Sequence, residues 1–198
     1  MSQNTEISRG SDTAVVTIQK PTGDYMPPMP PGEYIKTREN WHVAWICDKW
    51  HRSEDHDAGL PADERVVATE NLLVTGGINL MLLHLIGDTN IVGYTSGSAN
   101  IKVGNSTQAA ASGDTDIVGG SNAEAGMDAG YPTVVLTTAT WRSTFGSSAA
   151  NFAWEEVAVK NASGAVSNSV RILNRRVQSF GTKVSGATWT MTLQITIT

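Results

Sequence analysis

A chain of 198 residues with 17% charged and 40% hydrophobic side chains is one domain, or one domain and an arm, and is long enough to bury a core of its own. Nineteen glycines, and few charges among many Ser, Thr and Asn residues, point to β structure and exclude a coiled coil or a charged disordered chain. The formal net charge of −5 does not suit a protein whose main task is to bind nucleic acid.

The first residues, Met1 to Glu6, hold no basic stretch with an apolar run behind it, so a secretory leader is not expected. Residues 1–40 predict an extended arm rather than a packed domain. Apolar residues are sparse there, and Met26-Pro27-Pro28-Met29-Pro30-Pro31-Gly32 cannot continue a helix, because proline lacks the N–H and clashes with the preceding turn. A polyproline-like strap is expected, with a short strand at Thr13 to Gln19. Trp41 to Trp50 alternates, with Trp41, Val43, Trp45 and Cys47 on one side and His42, Ala44, Ile46 and Asp48 on the other. That is a strand with an aromatic face. His51 to Arg65 reads as a polar loop broken by Gly59 and Pro61, and Val66 to Ala68 as a short strand.

From Gly76-Gly77 onward, Ile78, Met81, Leu82, Leu85 and Ile86 recur at helical spacing. The spacing predicts one short helix at about 76–86, capped by Asn71 or Thr75 and stopped at Gly87-Asp88, with its apolar face buried. Its apolar stretch, Ile78 to Ile86, is far short of the ~20 residues that span a bilayer, so no membrane contact is expected and the chain reads as a soluble product of a cytoplasm. Strands are expected at Ile91–Tyr94, Asn100–Val103, Thr115–Val118, Thr133–Phe145, Asn151–Lys160, Val170–Leu173, Val177–Thr182 and Ala187–Ile197. The last is the clearest: Ala187, Trp189, Met191, Leu193, Ile195 and Ile197 alternate with threonines and a glutamine. The fold class expected is mainly β, an antiparallel sandwich or jelly-roll-like domain over residues 41–198, preceded by the arm.

Charge is unevenly placed. Residues 1–70 hold seven basic and twelve acidic side chains, and residues 71–198 hold seven of each. An acidic front and a basic back either pair, within one chain or between copies, or are scattered solvated charge.

Few constellations carry chemistry. A single cysteine, Cys47, excludes an internal disulfide framework and any multi-cysteine metal site, and on an aromatic strand face it reads as an inert buried thiol. His42, His51 and His56 lie near Asp48, Glu54, Asp55 and Asp57, but without zincin or calcium-loop spacing; a solvated loop is the expectation and no metal or cofactor is assigned. Glu155 and Glu156, neighbours in a strand, point to opposite faces, and Asp114 and Asp116 are expected to cap turns, so no catalytic pair is assigned. The glycine-rich run Gly119 to Gly126 lacks the Lys-Ser/Thr of a P-loop. Trp41, Trp45, Trp141, Trp154 and Trp189 either form a sugar-stacking platform or pack the core; their strand placement favours the core.

Several phrases, in order, carry a resemblance over about residues 66–198. They are Asn71-Leu72-Leu73-Val74-Thr75-Gly76-Gly77-Ile78-Asn79, Ala99-Asn100-Ile101-Lys102-Val103-Gly104-Asn105-Ser106-Thr107, Met127-Asp128-Ala129-Gly130-Tyr131-Pro132 and Trp141-Arg142-Ser143-Thr144-Phe145-Gly146. They continue with Asn151-Phe152-Ala153-Trp154-Glu155-Glu156, Leu173-Asn174-Arg175 and Gly181-Thr182-Lys183-Val184-Ser185-Gly186-Ala187-Thr188-Trp189-Thr190. Together they resemble tailed-bacteriophage virion structural proteins, including capsid decoration or cement proteins. The resemblance implies a non-enzymatic virion component on the capsid surface. Its partners would be the major capsid protein and copies of itself, the trimer being an analogy with decoration proteins on local threefold points. The contact residues expected on that reading are Met26, Pro27, Pro28, Met29, Pro30, Pro31 and Tyr34 of the arm, with Trp41 and Trp45 beside it. A tail, baseplate or head-fibre component and a carbohydrate-binding host-surface module are the alternatives.

Overall fold

The structure, a computed structural model, describes residues 41–164 and 170–198. The expected strand at Thr13 to Gln19, the proline-rich strap and Tyr34 lie outside the described residues.

Ten strands and two helices are described. In chain order they are β1 (Trp41–Trp50), α1 (Ser53–Asp57), β2 (Glu64–Thr69), β3 (Leu72–Leu73), α2 (Thr75–Leu85), β4 (Asn100–Gly104), β5 (Asn122–Gly126), β6 (Thr133–Val135), β7 (Thr138–Phe145), β8 (Ala153–Lys160), β9 (Asn174–Thr182) and β10 (Thr188–Ile197). They form two five-stranded sheets, β2-β1-β10-β7-β6 and β3-β9-β8-β4-β5, and every pairing is antiparallel. One hydrophobic cluster joins them. Trp45, Cys47, Phe145, Met191 and Leu193 come from the first sheet, and Ile101, Val103, Trp154, Val157 and Phe180 from the second. The expected antiparallel β-sandwich is therefore the fold. The wiring gives the jelly-roll variant no support: β1 and β2, β4 and β5, β6 and β7, and β8 and β9 are chain neighbours paired within one sheet.

Period-two alternation builds this core. Along β10, Trp189, Met191, Leu193 and Ile195 join the cluster, and β1 sets Trp45 and Cys47 beside them through the pairs Trp45–Leu193 and Cys47–Met191. Phe145, Trp154 and Trp189 stack edge to face, with centroids 4.8 and 4.9 Å apart. In β8 a register shift between Trp154 and Glu156 changes the parity: Trp154, Val157 and Val159 face the core, while Glu156 and Lys160 take the other face.

Several expectations are corrected. Ile91–Tyr94 and Thr115–Val118 are not strands, and Val170–Leu173 contributes a single bridge, Ile172 to Lys160. Thr133–Phe145 is a hairpin rather than one strand, turning at Leu136-Thr137. The polar loop after β1 contains α1, and the glycine-rich run ends in β5. Helix α2 begins where expected, but Val74 stands at its cap position with no side-chain cap. Its apolar face is not buried. Only Gly77 and Leu80 are enclosed, and Ile78, Leu82 and Leu85, with Ile86 just beyond, stay exposed.

Candidate functional site

The outer face of the second sheet is charged and covered. Residues 105–121 cross it, and a loop of that length needs its own anchors. Arg175, fully buried, provides them. Its guanidinium donates to Glu156 and Asp114, at 2.8 Å each, and to the backbone carbonyls of Gln108 and Ala109. Glu156, also fully buried, accepts from the Gly119 and Val118 backbone N–H groups at 2.6 and 3.2 Å. Beside it, Lys102 and Lys160 share Asp116 at 2.9 and 3.3 Å. Lys160 also donates to the Gly164 carbonyl. Asp114 and Glu156 are brought to one guanidinium, where each is occupied in holding the loop. Glu155 turns away and accepts from Ser179, so the two adjacent glutamates do not converge, as expected.

The outer face of the first sheet holds a shallow concavity of about 480 Å³ over Trp50, Tyr131 and Arg142. Several of its polar groups are engaged with one another. Arg142 donates to Asp128 at 2.8 Å and lies 4.3 Å from the Tyr131 ring centroid. The Thr144 and Thr190 hydroxyls pair at 2.9 Å, and Trp50 donates to the Leu60 carbonyl.

The third feature lies at one end of the sandwich. Thr69, the last residue of β2, pairs with Ala44, and β3 begins three residues on, opposite Arg175, so these ends of the two sheets adjoin. Trp41, Ile197 and Thr138 stand at that end through the pairs Trp41–Ile197 and Thr196–Thr138. Helix α2 starts there too, because Gly77 packs directly on the Leu173 backbone. Most of the large hydrophobic side chains exposed on the described residues belong either to α2 or to the strand ends that meet here. They are Trp41 at 43%, Leu82 at 56%, Leu85 at 81%, Ile86 at 79% and Leu136 at 95% exposure, with Ile78, Val134, Val135 and Ile197. The segments that carry them are nearly free of charge: residues 71–87 and 129–141 contain no Asp, Glu, Lys or Arg. Exposed apolar side chains in this number on a folded domain mark interaction surface, and His42 and the exposed Glu70 stand beside Trp41 at its border.

Of the residues expected in a partner contact, Met26 to Pro31 and Tyr34 lie outside the described residues, and Trp41 sits on this apolar end. Trp45 does not reach the surface: it is fully buried, with its indole N–H 3.5 Å from Asn71. The sugar-stacking platform is not assembled, since Trp45, Trp154 and Trp189 are core residues and Trp141 is half-buried, donating to the Tyr94 carbonyl at 3.1 Å. Burial pushes the Cys47 thiol up to about 12, in line with an inert thiol, and also raises the Tyr94 hydroxyl above its ordinary value. Among the described residues no three His, Cys, Asp or Glu side chains gather into a metal site, and no helix is long and apolar enough to cross a membrane. His51 and His56 are instead paired locally, with Asp63 at 3.5 Å and Asp57 at 3.1 Å. Sequence reasoning missed α2 and the β6–β7 turn as surface. The available signal was an uncharged run too apolar for a loop.

No protein-family model matches the chain, and searches of curated proteins and of solved structures find no match either.

Proposed function

We propose that this chain is a non-enzymatic structural subunit of a tailed-phage virion, and specifically a capsid decoration, or cement, protein that binds the major capsid protein lattice and stabilises it from the outer surface. The observation that carries the reading is the set of exposed apolar side chains on α2 and at the β6–β7 end of the sandwich, which a free monomer would leave in water at a cost. The ordered phrases over residues 66–198 supply the virion context by resemblance. The buried charges fit the same reading: Arg175, Glu156 and Lys160 are engaged in holding a loop and a strand, a stabilising use. Repetition on a lattice turns individually weak contacts into stable attachment. Purified particles test this directly, through the number of copies they carry relative to the major capsid protein.

A further inference from the structure

We propose that the concavity on the outer face of the first sheet is a binding site for a neutral saccharide. This goes beyond the virion reading and does not depend on it. Three observations lead there.

The first is a group of polar side chains without partners. Strands β7 and β10 line the concavity side by side, with Thr140 opposite Gln194 and Arg142 opposite Thr192. Arg142, Thr144 and Thr190 are engaged as described above. The hydroxyls of Thr140 and Thr192 and the carboxamide of Gln194 have no hydrogen-bond partner among the described residues. Thr192 is only 9% exposed. A hydroxyl so enclosed takes its partner from whatever fills the concavity.

The second is the balance of charge. Arg65 donates to Asp48 at 2.9 Å and Arg142 to Asp128 at 2.8 Å, so each guanidinium lining the concavity already holds a carboxylate. An anionic ligand would have to displace one of them, whereas a neutral ligand leaves both pairs in place. The groups that remain, two hydroxyls and a carboxamide, both donate and accept hydrogen bonds, as the hydroxyls of a sugar do.

The third is a pair of rings. Trp50 at the end of β1 and Tyr131 ahead of β6 both line the concavity, and neither belongs to the five tryptophans weighed as a platform from the sequence. Trp50 is held by its N–H bond to the Leu60 carbonyl at 2.8 Å and by the ring of His56, edge to face at 4.9 Å; Tyr131 is held by Arg142. Rings fixed before a ligand arrives lower the ordering cost of binding. A pyranose presents C–H faces to such rings and hydroxyls to polar groups beside them. The volume of about 480 Å³ falls within the range of small-ligand sites, about 300–1,000 Å³, and most of the lining residues are polar, which suits a polyhydroxylated ligand.

The test is binding by the full chain to an array of neutral and acidic oligosaccharides. The neutral oligosaccharides retained are then titrated calorimetrically beside free glucose, galactose and mannose, which separates a site for one sugar from a site for a glycan chain. Binding of a neutral sugar is expected, weakened about three- to tenfold by Thr192→Val and about tenfold or more by Trp50→Leu. Thr192→Val is expected to leave the unfolding midpoint unchanged or higher, because the hydroxyl it removes holds nothing within the described residues; a purely structural Thr192 would lose stability and leave binding alone. Failure to bind any neutral sugar, binding confined to acidic glycans, or binding that ignores both variants would overturn the inference. A chain that binds no sugar yet is present in many copies on the particle would overturn it while leaving the proposed function standing.

Discussion

Cys47 occupies the centre of the first sheet, opposite Met191 on one side and Val66 on the other. Burial keeps its proton on until about pH 12, whereas the unfolded thiol loses it near 9.0. Between those values the unfolded chain binds fewer protons than the folded one, so stability present below pH 9 is lost as pH rises, by up to about 1.4 kcal/mol per pH unit. Denaturant midpoints at pH 8 and pH 10 should therefore fall more steeply for the native chain than for Cys47→Ala; parallel slopes would contradict the burial. Arg175 makes a second residue-scale case. Arg175→Met leaves Glu156 buried without its partner and should cost about 3–5 kcal/mol, while Arg175→Met with Glu156→Met should cost less than either single change. Chemical denaturation of the four chains measures this. The singles should also make residues 105–121 more open to proteolysis, since Arg175 and Glu156 anchor that loop.

At the scale of elements, α2 is seated through Gly77. A methyl group there would lie 2.3 Å from the Leu173 carbonyl oxygen, which is backbone and cannot turn aside. Gly77→Ala gains up to about 1 kcal/mol of helix propensity. The overlap should outweigh that gain and leave the domain less stable by about 1–3 kcal/mol, read from its unfolding midpoint. An unchanged or raised midpoint would mean that α2 is not pressed on Leu173. The elements also show what the sequence could tell. β1 and β10 were legible to the residue or nearly so, because apolar side chains recur at every second position along each, although the threonines Thr188, Thr190 and Thr192 on the other face of β10 are buried too. α2 was legible as a helix, since period 3.6 survives any environment; its exposure was not, because an apolar stripe says which side is sticky and not what covers it. β5 was hidden: Asn-Ala-Glu-Ala-Gly has little strand preference and forms by pairing with β4. The β6–β7 hairpin read as one strand because Leu136-Thr137 lacks the Gly or Asn that announces a turn. The ion-pair network was invisible for another reason. Arg175 meets partners 19 and 61 residues away, a distance that no local pattern encodes.

The whole molecule divides its surfaces by chemistry. One outer sheet face is closed by a loop and a buried charge network, the other carries polar groups paired among themselves, and α2 and the β6–β7 end expose apolar side chains. A protein of this form gains stability by being covered, and on the proposed reading repetition on a lattice would cover it many times over. The Pro-rich residues 27–31 and Met26, Met29 and Tyr34 belong to the same proposal as an arm that adds contact area on binding. Quantitative mass spectrometry of purified particles, comparing this chain with the major capsid protein, is the direct test. The account expects many copies in a simple fixed ratio to that protein. A handful of copies would place the chain in the tail, the baseplate or a vertex, and absence from the particle would contradict the virion role altogether.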